Sequence, residues 1–177
     1  MDIAPPDPEK LKTLAERFVS ENSVMVLATA DDGLPWAAAV YYVYHRGGFW
    51  FFSDPDSCHI KQAQATHKAA AAIFACGTTW QQIRGIQMQG QIERVGPGLA
   101  SARIIVDYLR KISFSLDFFT SGTEISLEAF SSRFKVNLYC FQPSLIYYLD
   151  NSIRFGFRQK VLLPSTLDFR GGQNDEK

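Results

Sequence analysis

Phe49-Trp50-Phe51-Phe52-Ser53-Asp54-Pro55-Asp56-Ser57-Cys58-His59-Ile60-Lys61 is the stretch whose reading decides the fold. Four consecutive aromatics predict a buried strand. Asp54-Pro55-Asp56 then turns the chain, because proline presets φ and an aspartate side chain bonds the backbone beyond it. Asp56 or Ser57 is placed to cap a helix that runs through Cys58, His59, Ile60 and Lys61. A strand that stops and opens a helix aims free backbone N–H groups and the positive end of the helix dipole at one spot, with Ser57, His59 and Lys61 as further donors. That chemistry suits a phosphate group. The same residues also make an ordinary capped turn with no ligand.

Working outward, the strands on either side follow antiparallel logic. Val24 to Ala30 reads as a short apolar strand, Asp31-Asp32-Gly33 as a hairpin turn, and Pro35 to Tyr44 as the return strand. The centre of that return strand, Ala37-Ala38-Ala39, is built from a poor strand former. Either a flat ligand lies against the backbone there or neighbouring aromatics pack closely over it. His45-Arg46-Gly47-Gly48 turns the chain into the aromatic strand. Beyond the short helix, Ala69 to Cys76 is another small apolar strand. Ile83 to Val95 is the longest, with Ile86, Met88, Gly90 and Ile92 alternating against Gln87, Gln89, Gln91 and Glu93. Gly90 within it predicts a bulge or the close approach of another backbone.

Helices fill the gaps. Asp7-Pro8-Glu9 is an N-cap, a first-turn proline and a first-turn acid, followed by an apolar face of Leu11, Leu14, Ala15 and Phe18. Gly96-Pro97 opens a second helix, with Leu99, Ala102, Ile105, Val106, Leu109 and Ile112 as its expected buried stripe. The aromatic segment from Phe114 to Phe130 is too apolar for a free loop and is expected to cover a dimer contact or a pocket mouth, with Ser126 capping one more turn. Phe134 to Gln142 is expected to be a strand, interrupted by Pro143 and resumed from Leu145 to Asp150. Phe155-Gly156-Phe157 reads as a loop and Val161 to Leu163 as a last strand. The order argues a mostly β, α+β fold: one antiparallel barrel with helices packed outside, in a single domain over residues 1–166 followed by a polar tail, 167–177.

Composition excludes several classes. The chain has 177 residues, 46% of them hydrophobic and 14 of them Phe, too apolar for a mainly disordered protein. Eighteen basic residues balance eighteen acidic ones, so no global basic field draws nucleic acid or an acidic membrane. No apolar run is long enough to span a bilayer. Cys58, Cys76 and Cys140 form no CxxC pair, so neither a disulfide framework nor a cysteine metal site is expected, and a reducing cytoplasm is the expected compartment. His45, His59 and His67 are dispersed, and no metal site is expected. No Walker loop, GxGxxG, GxSxG or HExxH is present, and no protein-only catalytic constellation emerges, so any chemistry belongs to a cofactor.

The succession of an Asp-Asp-Gly turn, a small-residue strand, a Gly-Gly turn and an aromatic strand ending in Ser53-Asp54-Pro55-Asp56-Ser57-Cys58-His59 resembles the FMN-binding split barrel of the pyridoxamine 5′-phosphate oxidase-like superfamily. Ile83-Arg84-Gly85-Ile86-Gln87-Met88-Gln89-Gly90-Gln91-Ile92, with Asp150-Asn151-Ser152 and Phe155-Gly156, resembles its UPF0306 group. The resemblance implies a six- to seven-stranded antiparallel split barrel, a homodimer, and two FMN sites at the subunit interface. It sets the isoalloxazine ring along Ala37, Ala38, Ala39 and Val40, and the phosphate at Ser53, Ser57, Cys58, His59 and Lys61. Relatives carry arginine where this chain has Cys58, and the arginine often found on the second strand has no counterpart, which leaves Arg84 as the nearest basic candidate to compensate. The function implied is flavin-dependent oxidation or reduction of a small molecule. The carboxy-terminal segment does not resemble the one that serves pyridoxamine phosphate oxidation. The alternatives are flavin or haem binding without turnover, or a cofactor-free dimer of the same fold.

Overall fold

The computed structural model describes residues 6–112 and 126–163. Helix α1 (Pro8–Glu21) is capped by the Asp7 carboxylate, which accepts from Glu9 N. Strands β1 (Val24–Asp31) and β2 (Leu34–Tyr41) are joined by Asp32-Gly33, both at positive φ (47° and 74°), the tight turn that suits the right-handed twist of a hairpin. Strands β3 (Val43–His45) and β4 (Gly48–Ser53) are joined the same way by Arg46-Gly47, at φ 51° and 79°. Helix α2 (Cys58–Thr66), β5 (Ala69–Ala75), a 3-10 turn (Trp80–Gln82), β6 (Arg84–Val95), α3 (Leu99–Lys111), α4 (Leu127–Phe134), β7 (Asn137–Asp150) and a short β8 (Arg158–Lys160) complete the chain.

All pairings are antiparallel, in the order β2-β1-β5-β6-β7-β4-β3, with β8 added on β7. β2 and β3 lie at opposite ends of that order, yet only Tyr42 separates them in the chain. A sheet whose two edges are joined by one residue must curl until they meet. Inside it, Met25, Leu27, Val40, Phe49, Phe51, Ile73, Ile86, Ile92, Phe141 and Tyr148 pack with Ile60 and Ala63 of α2 and with the apolar face of α1. A second cluster lies outside the barrel, where α3 and α4 cover Val43, Leu138, Trp50 and Phe52. This is the split-barrel fold with flanking helices.

Five details differ from expectation. The return strand from Pro35 is not continuous to Tyr44. Tyr42 leaves the ladder, its N–H bonding Ser23 O and its hydroxyl Val19 O, because the chain changes sheet edge there. Helix α3 buries Ile104, Ile105, Tyr108, Leu109 and Ile112, leaving Leu99, Ala102 and Val106 exposed. The helix is turned so that the Tyr108 ring meets Phe52 edge-on, at 5.0 Å between centroids. Pro143 does not interrupt β7: it sits where the register with β6 slips between Gln89 and Gly90, so the missing N–H costs no ladder bond. Phe134 belongs to α4, and Val161–Leu163 is not a strand: Val161 and Leu163 are buried and Leu162 is exposed, and the place beside β7 is taken by Arg158–Lys160. The expectations for residues 113–125 and for the tail at 167–177 lie outside the described residues.

Candidate functional site

The two lips of the split carry the residues singled out in the sequence. Continuing the β3–β4 register past Val43↔Trp50 sets Phe51, Phe52 and Ser53 abreast of Tyr42, Tyr41 and Val40, and β4 approaches β2 there. Helix α2 then runs back along β2. Gln62 donates to Leu34 O at 3.0 Å and accepts from Thr29 Oγ1 at 2.7 Å, tying α2 to both strands of the first hairpin. Ala37, Ala38, Ala39 and Val40 therefore lie on one lip, and Ser53, Ser57, Cys58 and His59 on the other. β2 is an edge strand, with Ala37 and Ala39 exposed, Ala38 half-buried and Val40 buried.

The turn is held by its own polar groups. Asp54 Oδ1 accepts from Asp56 N at 2.7 Å, and Asp54 O accepts from both Ser57 N (3.1 Å) and Ser57 Oγ (2.7 Å). The Ser57 hydroxyl is thus drawn back into the turn. No side chain caps α2, although Ser57 holds the N-cap position, so its first N–H groups, at Cys58 and His59, have no side-chain cap. Ser53 and His59 are buried, with Ser53 Oγ 2.9 Å from His59 Nε2 and 3.2 Å from Ser57 Oγ. Burial holds the His59 imidazole below its ordinary pKa, because the charged form loses hydration.

The basic candidates behave differently. Lys61 is exposed and ion-paired with Asp56 across the turn at 3.0 Å. Arg84 is not at the turn. Ser53 pairs with Asn137 at the start of β7, whereas Arg84 pairs with Asp150 at its end. There its Nε stands 3.6 Å from the buried Asp150 carboxylate, which also accepts from Tyr148 OH, Ser152 N and Ser152 Oγ. Within one chain, Arg84 therefore does not compensate for Cys58. The Asp150-Asn151-Ser152 signature is a structural knot: Asn151 donates to Trp80 O and accepts from Gly156 N, fastening the 3-10 turn to the last loop. His45 lies beside Asp107 at 3.8 Å, far in the fold from α2, and no metal-binding cluster of His, Cys, Asp or Glu occurs among the described residues.

One feature was missed in the sequence. On the outer face of the sheet, the register lines up Ala37 and Ala39 with Ala28 and Val26, these with Ala70 and Ala72, and these with Gln89 and Gln87. All are exposed or half-buried, so the outer face of three strands, β2, β1 and β5, is built from small residues and Val26, with glutamines on β6. Its signal was there in the alternation of small residues through β1 and β5, read in the sequence only as strand-forming runs.

A family model described as pyridoxamine 5′-phosphate oxidase matches residues 11–129. The chain belongs to the pyridoxamine 5′-phosphate oxidase family. Within that family it is similar to a UPF0306 protein of Klebsiella pneumoniae, with 26% identity over 150 residues that cover 82% of this chain and 90% of the relative. The fold of this family member is also similar to that of a FAD-binding protein from Mesorhizobium loti, at a TM-score of 0.57 and 16% identity, over 76% of this chain and 88% of that one. A further structural likeness is to HutZ, the haem storage protein from Vibrio cholerae, at a TM-score of 0.60 and 15% identity, over 76% and 90% of the two chains. Among the described residues, no helix is long and apolar enough to cross a membrane.

Proposed function

We propose that the protein is an FMN-binding split-barrel homodimer that acts as a flavin-dependent oxidoreductase on a small molecule. The observation that carries this reading is the pairing of two lips: an open edge strand whose side chains are alanines, and an uncapped helix start beside it. A flat ring system needs the first, since a larger side chain on β2 would occupy the ring's space. A phosphate ester needs the second. The donor set fits the group: the N–H groups of Cys58 and His59 are uncharged donors left without a side-chain cap, and helix starts hold phosphate through such groups. Bound there, FMN would supply hydride and single-electron chemistry, while β2 and the turn orient it. The small-residue outer face supports a second copy as the partner, because a flat apolar sheet face left to water is unusual in a stable protomer.

Haem binding without turnover is the second reading, favoured by the likeness to HutZ. The visible spectrum of the freshly purified protein separates the two. Flavin bands are the expected result, a Soret band moves the assignment to haem, and a colourless protein that binds neither added FMN nor haem removes both.

A further inference from the structure

Resting on the FMN reading, we infer that His59 is the specificity-determining residue of the phosphate subsite and that it takes up one proton when a phosphate ester docks at the start of α2. Cys58 is neutral where relatives carry arginine, Lys61 is committed to Asp56, and Arg84 is committed to Asp150 at the other end of β7. Asp54 and Asp56 make the turn itself acidic. A phosphate dianion brought here meets donors but no cation within the cluster itself, Arg94 being exposed and donating to Asn137 at 3.3 Å, and a half-buried charge without a counter-charge is costly. Among the described residues, His59 is the one group in contact with the cluster that can acquire a positive charge.

Hydrogen counting shows how it does so. The Ser57 hydroxyl donates to Asp54 O. Ser53 Oγ stands 2.9 Å from His59 Nε2 and 3.2 Å from Ser57 Oγ, and its hydroxyl reaches Asp54 O at 3.5 Å; Ser57 Oγ is also 3.4 Å from Nε2. With both hydroxyls turned to the Asp54 carbonyl, Ser53 Oγ is free to accept from His59 Nε2–H. In that arrangement His59 is the Nε2–H tautomer, and Nδ1, which has no hydrogen-bond partner among the described residues, is the atom that accepts the new proton. The charged and titratable groups around it are Asp54 and Asp56 in the turn, Cys58 and Lys61 on α2, Tyr41 on β2, Asp31 and Asp32 beyond the far end of α2, and Arg94, which donates to Asn137 opposite Ser53. None of them shifts the imidazole in the free protein: burial alone lowers it, so His59 starts neutral and gains its proton with the ligand.

The linkage has a definite sign. A bound anion raises the His59 pKa above its free value, so affinity is highest below the free pKa. It falls about tenfold per pH unit between the free and bound values and is level above the bound one. Riboflavin, which has no phosphate, shows no such slope. The test is calorimetric titration of the dimer with FMN and with riboflavin at about pH 7.5, in two buffers of different ionisation enthalpy, for wild type and for His59→Gln. Expected are close to one proton taken up per FMN by wild type, close to none for riboflavin, and close to none for His59→Gln, whose riboflavin affinity and melting curve report an intact fold. FMN binding by wild type without proton uptake overturns the inference and leaves the flavin reading standing. Uptake that survives in His59→Gln places the proton on the phosphate and overturns it too. Failure of both flavins to bind overturns the flavin reading along with it.

Discussion

Single positions decide two questions that composition left open. Gly90 was legible: a glycine inside an alternating strand predicts a bulge, and a Cβ there would stand 2.1 Å from the Gln142 carbonyl oxygen, in a backbone that cannot yield cheaply. Gly90→Ala is expected to cost about 3 kcal/mol, the upper end of ordinary overpacking, read as a lowered urea midpoint with unchanged slope. Ala39 was legible only as an anomaly, open to a ligand or to tight packing. The structure narrows the choice, because Ala39 is exposed in the protomer, beside the half-buried Val26 on β1, and a leucine there does not overpack the barrel core. Ala39→Leu should therefore leave thermal stability within about 0.5 kcal/mol while abolishing FMN uptake. A variant that binds FMN normally would remove the ring from β2.

At the scale of elements, the turns were readable because their residues carry the required backbone: Asp32-Gly33 and Arg46-Gly47 both sit at positive φ. The break at Tyr42 was not. Its neighbours form strands on both sides, and only the closure of the barrel dictates that the chain leaves one edge and joins the other. The face of α3 escaped for a related reason: two overlapping apolar stripes exist, and the choice falls to whichever meets Phe52 and Phe130. α3 also ends on Lys111, which reaches back to α1. Its ammonium donates to Val19 O at 3.4 Å, in the last turn of α1, and lies 4.5 Å from the Tyr42 ring centroid. Burial pulls its pKa down to about 8. The unfolded chain holds that proton up to its ordinary value, so between about pH 8 and 10.5 the unfolded state binds more protons and folding stability rises with pH. The buried Tyr42 and Tyr108 hydroxyls, whose pKa values are raised, oppose this above about pH 10, when tyrosines of the unfolded chain ionise. From about pH 7.5 to 9.5 the urea midpoint of wild type should therefore gain steadily on that of Lys111→Met, while the buried Cys140 thiol, its pKa pushed up to about 12, lowers both alike above about pH 8.5. Parallel curves for the two would show that Lys111 keeps an ordinary pKa.

The whole molecule raises the question of what faces the outer sheet. The barrel interior and the α3–α4 side are each closed by a hydrophobic cluster, whereas the surface from Ala39 through Ala28 and Ala70 to Gln89 carries no helix among the described residues. Small side chains on a sheet face let another sheet approach closely, and Tyr41 (44% exposed), Val24 (42%) and Phe74 (63%), which share that face by alternation, add bulk at its margins. If the face were solvated in the working protein, Ala28→Glu would be a surface change worth less than about 0.5 kcal/mol. If it is the contact between two copies, the symmetry of a twofold interface sets two new carboxylates into one apolar surface, where burying unpaired charge is costly. Light scattering over a micromolar concentration series should then give a dimer mass for wild type and a monomer mass for Ala28→Glu, with circular dichroism unchanged. FMN affinity should fall with the dimer, because the β2 lip is continuous with the same face through Ala37 and Ala39. A dimer that survives Ala28→Glu would move the contact elsewhere on the barrel. A wild-type protein that scatters as a monomer would leave the alanine surface to the flat ligand alone.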